Sequence, residues 1–116
     1  MKLPRYANET RPWGNFERFT LNEPATVKIV TVNTGKKLSL QTHANRDEFW
    51  RIIGGAGFVT IGSDTKEARM NDEFFVPRGA PHRAAGGTGS LRFLEICFGE
   101  FDESDEVRLE DDHGRT

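Results

Sequence analysis

Turn-forming residues recur at short, fairly even intervals along this chain of 116 residues. Glycine, proline and small polar residues cluster at positions 33–35, 54–55, 62–64, 77–79 and 86–89. Turns this closely spaced leave room only for short strands between them. No segment sustains a helical period of apolar residues. The sequence therefore predicts an all-β fold.

Runs of β-branched and aromatic residues occupy the intervals between the turns. Several of them alternate apolar and polar residues, as strands with one buried face do. The runs lie at positions 27–32, 49–53, 58–61, 74–76 and 91–98. A closed, mainly antiparallel sandwich buries these faces without leaving long exposed edges. We therefore predict a jelly-roll-like barrel with its core at about residues 11–99.

The length suits a single domain over residues 1–116, because a chain of this size can bury one continuous core. The last segment, residues 100–116, is rich in Asp and Glu. By composition it is typical of a solvated tail, and we expect it either to pack on the barrel or to trail from it. The lone Cys97 lies in a predicted strand and is expected to be a small core side chain.

The charge of the chain argues against a polyanionic partner. The formal net charge is -2, from 16 basic and 18 acidic residues. Because these charges are spread over both halves, there is no broad positive face for nucleic acid or anionic lipid. No apolar run approaches the roughly 20 residues that span a bilayer, and the first residues lack the apolar stretch of a signal peptide. We expect a cytoplasmic protein that binds a small molecule and neither nucleic acid nor a membrane.

Four side chains from two separated segments have the chemistry of a metal site. Gln41 and His43 are two positions apart, so on a strand they point to the same face. Glu48 follows after a short loop, and a β-hairpin would return it to the same end of the barrel. His82 follows a tight turn fixed by two prolines and a glycine. Two imidazoles, a carboxylate and an amide oxygen suit Zn, and also Mn, Fe, Co or Ni, whereas either histidine alone is more often a surface or hydrogen-bonded residue.

These two segments resemble the two signature motifs of the cupin superfamily. The first motif covers residues 35–55 and the second covers residues 77–82. Gln41 stands where the first histidine of the motif is usual, and an amide oxygen can still ligate a metal. The resemblance implies a double-stranded β-helix, the cupin barrel, with one divalent metal at its mouth.

Five stretches of the chain resemble, in order, the C-terminal domain of type II mannose-6-phosphate isomerases. They are Arg11-Pro12-Trp13-Gly14, residues 38–43, Arg46-x-Glu48-x-Trp50, residues 76–83 and residues 110–115. In that family the domain often follows a mannose-1-phosphate guanylyltransferase domain, for which this sequence has no room. Four residues differ from those usual in the family, namely Asn45, Phe49, Cys97 and His113. The ligand set is also similar to that of the zinc-dependent type I phosphomannose isomerases.

The resemblance implies interconversion of mannose 6-phosphate and fructose 6-phosphate through an enediolate, with Zn as the first metal to expect. It points to Arg83 and Arg115 as groups that bind the phosphate, and Lys37 is a weaker candidate. Trp50 is a candidate floor for the sugar. The candidate bases are Lys37, Asp112 and His113. By analogy with other small cupins we also expect a homodimer.

Each of these assignments has a structural alternative. Arg83 and Arg115 could pair on the surface with the carboxylates of the last segment, and Trp50 could belong to the core. Two other functions are also consistent with the motifs. One is a cupin that binds a sugar or nucleotide-sugar without converting it, and the other is a different metal enzyme such as an iron dioxygenase.

Overall fold

The computed structural model describes residues 3–111, which form eleven β-strands and no helix. The strands follow one another with short connections, as the spacing of the turns predicted. They are β1 Ala7–Arg11, β2 Gly14–Arg18, β3 Ala25–Val32, β4 Leu40–Thr42, β5 Arg46–Gly54, β6 Gly57–Ile61, β7 Asp64–Ala68, β8 Glu73–Val76, β9 His82–Gly86, β10 Leu91–Gly99 and β11 Val107–Glu110. The predicted all-β class is confirmed.

Two antiparallel sheets form the body of the molecule, and a two-stranded hairpin of β1 and β2 stands apart from them. One sheet has four strands in the order β3-β10-β5-β8, and the other has five in the order β11-β4-β9-β6-β7. Chain neighbours are therefore often not sheet neighbours, as expected of a jelly roll. In particular, β4 and β5 lie in different sheets. The hairpin that we expected to carry Glu48 back beside Gln41 is therefore wrong, because Glu48 reaches the site from the facing sheet.

The main core lies between the two sheets and consists of their inward-facing side chains. Trp50 and Phe93 stack with ring centroids 4.3 Å apart, and both are almost completely buried. The other buried members of this cluster are Val32, Ile52, Val59, Ala68, Val76, Ala84 and Leu91. Burying large apolar side chains of this kind stabilises the fold by about 1.5–3 kcal/mol each.

A second, smaller cluster covers part of the outer face of the four-stranded sheet. Leu3 packs there with Phe49 and Ile96, and Phe19 lies against them. The Phe19 and Phe49 ring centroids are 5.8 Å apart. The N-terminal segment thus buries apolar residues of β5 and β10 that alternate with the side chains facing the main core.

The turn after β5 requires glycine at one position. Gly55 has a φ of 70°, a left-handed conformation that L residues with a side chain rarely adopt. A Cβ atom at this position would lie 1.6 Å from the carbonyl oxygen of Ser90. The last glycine of the first motif is therefore explained by backbone packing and not by metal chemistry.

Of the two arrangements expected for the last segment, residues 107–110 adopt the one packed on the barrel. These residues form β11, which pairs antiparallel with β4, the strand that carries Gln41. The exposed side chains of β11 gave no apolar pattern that sequence analysis could detect. Within residues 3–111 there is no helix long and apolar enough to cross a membrane.

Candidate metal centre

The four predicted ligands meet at one end of the sandwich, between the two sheets. Gln41 on β4 and His82 on β9 are direct antiparallel partners, so their side chains lie side by side on the inner face. His43 follows β4 immediately, and Glu48 reaches in from β5 on the opposite sheet. All four side chains line one cavity of about 170 Å³.

The distances between the donor atoms of these side chains are similar to the ligand-to-ligand distances around a bound metal ion. His43 Nε2 lies 3.3 Å from Glu48 Oε2, and His82 Nε2 lies 3.8 Å from Glu48 Oε1. Ligands about 2.1 Å from a tetrahedral Zn ion are about 3.4 Å from one another. The histidines and the glutamate are nearly completely buried, so a bound cation would be well shielded from bulk water.

Both histidines are held with the Nε2 lone pair facing the cavity. His43 Nδ1 donates to the carbonyl oxygen of Asp105 at 2.7 Å, and His82 Nδ1 donates to that of Ala80 at 2.9 Å. In a neutral imidazole this leaves Nε2 unprotonated, which is the arrangement usual for metal-binding histidines. Burial lowers the pKa of His82 below its ordinary value, opposed by the backbone hydrogen bond to Ala80. A lowered pKa favours the neutral imidazole, the form that a metal ion requires.

Glu48 is fixed from two sides before any metal binds. Trp50 Nε1 donates to Glu48 Oε1 at 2.9 Å, and Arg46 Nε donates to Oε2 at 3.0 Å. Trp50 is only 1% exposed. It therefore orients the carboxylate and packs against Phe93, and it offers no open ring face on which a sugar could stack.

The amide of Gln41 is oriented by a near neighbour. Its Nε2 donates to the hydroxyl oxygen of Ser39 at 3.0 Å, and Ser39 is buried. With the nitrogen held in this way, the amide oxygen is the atom directed away from Ser39. Gln41 can then act as a neutral oxygen ligand, as the sequence predicted.

Arg46 competes with a cation for one of the ligand atoms. Its NH2 lies 3.1 Å from His43 Nε2, and its NH1 is buried without a hydrogen-bond partner among residues 3–111. A metal ion at His43 would require NH2 to release this nitrogen, while the bond from Arg46 Nε to Glu48 could remain. The donor set therefore fits a divalent cation at the cost of one hydrogen bond. Arg46 was included in the motif Arg46-x-Glu48-x-Trp50 but was assigned no function from the sequence. Its position two residues before Glu48, on the same face of β5, was the signal that it reaches the site.

A second group of buried side chains lies beside the first and was not predicted. Glu48, Glu95 and Cys97 have ligand atoms within 4.8 Å of one another. Burial, and then the charge of Glu48, raise the pKa of Glu95 above its ordinary value. Burial, and then the charge and hydrogen bond of Glu95, raise the pKa of the Cys97 thiol, so Cys97 stays protonated. Phe93, Glu95 and Cys97 alternate along β10 and therefore share its inward face. This alternation could have placed Glu95 and Cys97 in the interior from sequence alone.

The segment after β10 anchors the site through Asp105. Besides accepting from His43, Asp105 accepts hydrogen bonds on its carboxylate from the backbone amides of Ala44 and Asn45, at 2.9 Å each. These two amides lower the pKa of the Asp105 carboxyl group. The acidic segment thus sets the position of a ligand, a role that its composition did not indicate.

We expect Asp105→Ala to weaken metal binding by about 10-fold, the lower end of the range for outer contacts. The variant keeps the carbonyl oxygen that accepts from His43 Nδ1, but it loses the carboxylate that holds the backbone amides of Ala44 and Asn45. Metal titration of the chelated protein would measure it. Asp102→Ala is the matched control, since among the described residues 3–111 the Asp102 carboxylate bonds to Ser104 within its own turn. Equal metal affinity in the two variants would contradict the anchoring role of Asp105.

Several predicted residues do not reach the cavity. Arg83 was expected at its rim, but neighbouring residues on a strand face opposite sides, and Arg83 faces away from His82. Its Nε donates to the carbonyl oxygen of Leu38 at 3.0 Å, and its NH1 lies 3.6 Å from Glu110 Oε1. Lys37 bridges to Ala85 through its backbone and does not line the cavity. Arg115, Asp112 and His113 lie outside the described residues.

Structural comparison shows the fold. A double-stranded β-helix protein from Klebsiella pneumoniae has a TM-score of 0.65 at 16% identity, covering 81% of this chain and 90% of that one. A cupin protein from Bacteroides fragilis has a TM-score of 0.60 at 22% identity, covering 70% and 74%. A putative sugar phosphate isomerase from Acidithiobacillus ferrooxidans has a TM-score of 0.59 at 22% identity, covering 67% and 51%. The predicted cupin barrel is confirmed.

Sequence comparison extends over nearly the whole chain. The profile of the family described as mannose-6-phosphate isomerase C-terminal matches residues 2–111. The mannose-1-phosphate guanylyltransferase ManC of Salmonella typhimurium is 36% identical over 91% of this chain and 22% of its own length. The alginate biosynthesis protein AlgA of Pseudomonas aeruginosa is 35% identical over the same shares. The chain thus spans about a fifth of the length of these relatives.

Proposed function

Because the chain belongs to the family of the mannose-6-phosphate isomerase C-terminal domain, we propose that it is a metal-dependent sugar-phosphate isomerase. Its first substrate pair would be mannose 6-phosphate and fructose 6-phosphate. The observation that carries this proposal is the convergence of three acceptor groups, from His43, Glu48 and His82, on one cavity. Lone-pair donors that face one another in this way are a favourable arrangement for a divalent cation.

The proposed chemistry moves a proton between neighbouring sugar carbons through an enediolate. A divalent cation in this centre would supply Lewis-acid stabilisation of the oxyanion that develops. Glu48 is the one anionic member of the proposed ligand set, so the bound centre keeps a net positive charge. The donor set of nitrogen and oxygen atoms favours Zn first, with Mn, Co, Ni or Fe as alternatives.

The sugar phosphate also needs a cation near the mouth of the cavity. Lys28 lines the cavity from β3, and its Nζ pairs with the exposed carboxylate of Glu103 at 3.2 Å. Its ammonium group also lies 4.6 Å from the centre of the Phe101 ring. An exposed ion pair of this kind costs little to exchange, so Lys28 can turn to a phosphate. We propose that Lys28 binds the phosphate. Arg115 remains a second proposed phosphate-binding residue, on the basis of the family resemblance.

The proposed activity predicts turnover that depends on bound metal. We expect purified protein to contain close to one divalent ion per chain by elemental analysis, and to convert mannose 6-phosphate in a coupled assay. Treatment with a chelator should abolish turnover, and adding Zn back should restore it. Unchanged turnover in the fully chelated protein would contradict a metal-dependent mechanism.

A second candidate function is a cupin that binds a sugar or nucleotide-sugar without converting it. The contact between Arg46 and His43 favours this function, because it satisfies the imidazole without a metal. Calorimetry would then detect sugar-phosphate binding with no turnover at any metal concentration. A homodimer remains a proposal for either function, and sedimentation would measure it.

A further inference from the structure

One buried carboxyl group in the cavity has no part in the metal centre described above. Glu95 lies on β10, is 6% exposed and lines the same cavity as the proposed ligands. We propose that the Glu95 carboxyl is the catalytic group that moves the proton between the two carbons of the sugar. This inference rests on the proposed isomerase function and supplies the base that sequence analysis placed only among Lys37, Asp112 and His113.

The position of Glu95 suits a substrate held at the metal centre. Its carboxyl oxygen lies within 4.8 Å of a carboxylate oxygen of Glu48, on the neighbouring strand of the same sheet. A sugar held in this cavity beside Glu48 would therefore lie within reach of the Glu95 carboxyl group. Lys37, by contrast, does not line the cavity.

Few contacts with neighbouring residues compensate the burial of the Glu95 carboxyl group. Burying a carboxyl group in an apolar core is costly unless an ion pair or several hydrogen bonds compensate. Glu95 makes no salt bridge with any residue between 3 and 111, and it accepts one hydrogen bond, from Cys97 Sγ at 3.1 Å. The thiol donates to Oε1, and no hydrogen bond to Oε2 is found among residues 3–111.

The groups that face Glu95 shift its pKa in opposing directions. Its raised pKa has burial as the main cause and the charge of Glu48 as the second. Cys97, Lys28 and Arg46 oppose the shift. A carboxyl group with a raised proton affinity is a stronger base near neutral pH than an exposed glutamate. Cys97 cannot replace it, since its thiol holds its proton still more firmly.

The proposed step conserves atoms and electrons. The Glu95 carboxylate accepts the proton from C2 of open-chain mannose 6-phosphate, and the C2–H electron pair becomes the second bond between C1 and C2. The C1=O π electrons move to O1 and give the enediolate. The hydroxyl proton of O2 then passes to O1, and the O2 electron pair forms the C2=O bond. As this bond forms, the C1=C2 π pair takes the proton of the Glu95 carboxylic acid and becomes the new C1–H bond, which gives fructose 6-phosphate and the original carboxylate.

The test compares Glu95→Gln with wild-type protein, both loaded with Zn, in deuterated water. Wild-type protein should convert mannose 6-phosphate and place solvent deuterium at C1 of fructose 6-phosphate, detected by proton NMR. In Glu95→Gln we expect turnover and deuterium incorporation to fall by about 100- to 10,000-fold. The amide keeps nearly the same shape, so metal content, unfolding temperature and KM should stay close to wild type.

Two further variants make the test specific. Glu106→Gln is the same change in the same cavity, at a carboxylate already paired with Arg108 at 2.6 Å, and should leave turnover within a few-fold of wild type. Glu95→Asp keeps a carboxyl group and should retain more turnover and exchange than Glu95→Gln. It also keeps the inference testable if Glu95→Gln does not fold.

The outcomes separate this inference from the proposed function. If Zn-loaded wild-type protein shows neither turnover nor exchange, the isomerase function fails and the role of Glu95 fails with it. If wild type turns over and Glu95→Gln still exchanges deuterium at a similar rate, only the role of Glu95 is overturned. Loss of bound metal in Glu95→Gln, or equal defects in Glu95→Asp and Glu95→Gln, would also overturn it, since Glu95 would then support the site structurally.

Discussion

Replacing His82 with alanine is expected to remove the bound metal and to lower turnover by more than about 100-fold. His82 supplies one of the three converging acceptor atoms, and loss of even an outer contact to a metal ligand typically costs 10- to 100-fold. Direct loss of a ligand should exceed that range. Elemental analysis and the coupled assay on the same preparation would measure both effects.

Folding of the His82→Ala variant has to be checked separately, because His82 is buried and contacts Trp50 edge to face at 5.8 Å. Glu103→Gln provides a comparison at the exposed mouth of the cavity, where no ligand is affected. A folded His82→Ala protein that still holds one ion per chain would refute the proposed ligand set.

Arg46→Met is expected to destabilise the chelated protein by about 3–5 kcal/mol. Arg46 donates to Glu48 and is 5% exposed, so its removal leaves a buried carboxylate without its cation. With Zn present the loss should be much smaller, because the metal ion then neutralises Glu48. Metal affinity should rise, since His43 Nε2 no longer accepts a hydrogen bond from Arg46. Urea unfolding with chelator and with Zn would measure the difference.

The control for Arg46→Met is Arg78→Met. Arg78 pairs with Asp47 at 3.4 Å, and its side chain is 51% exposed. Exposed pairs contribute up to about 1 kcal/mol, with or without metal. If Arg46→Met were as stable as Arg78→Met in chelator, Arg46 would not be the neutralising partner of Glu48.

The sequence predicted the fold well where a strand has one buried face. Every predicted run lies inside an observed strand, and β3 and β10 extend only one or two residues beyond their predicted runs. The strands it missed carry no such pattern. In β7, Asp64–Ala68, four of the five residues are polar and exposed. These residues form a strand because the adjacent strand β6 supplies hydrogen bonds, and a single segment does not contain that information.

The candidate site was also predicted only in part, because local patterns identify some of its residues and long-range contacts position the others. Spacing and alternation were sufficient to group Gln41 with His43, and motif likeness added Glu48 and His82. Arg83 was placed by its adjacency to His82, although alternation along a strand predicts that it faces the other side. Glu95 was missed because its strand was considered only for Cys97. The contact between Asp105 and His43 spans 62 positions and has no local signal.

That long-range contact has a consequence for how the protein is made. On the ribosome, His43 leaves the exit tunnel 62 residues before Asp105. The backbone carbonyl of Asp105 accepts the hydrogen bond from the His43 ring in the folded protein. Closing so large a loop carries an entropic cost that is met only when the later segment can pair with β4. A nascent chain that already contains His43, Glu48 and His82 would still bind a cation weakly. The proposed metal site would therefore be complete only after residue 105 has been synthesised, when most strands of the two sheets are already available.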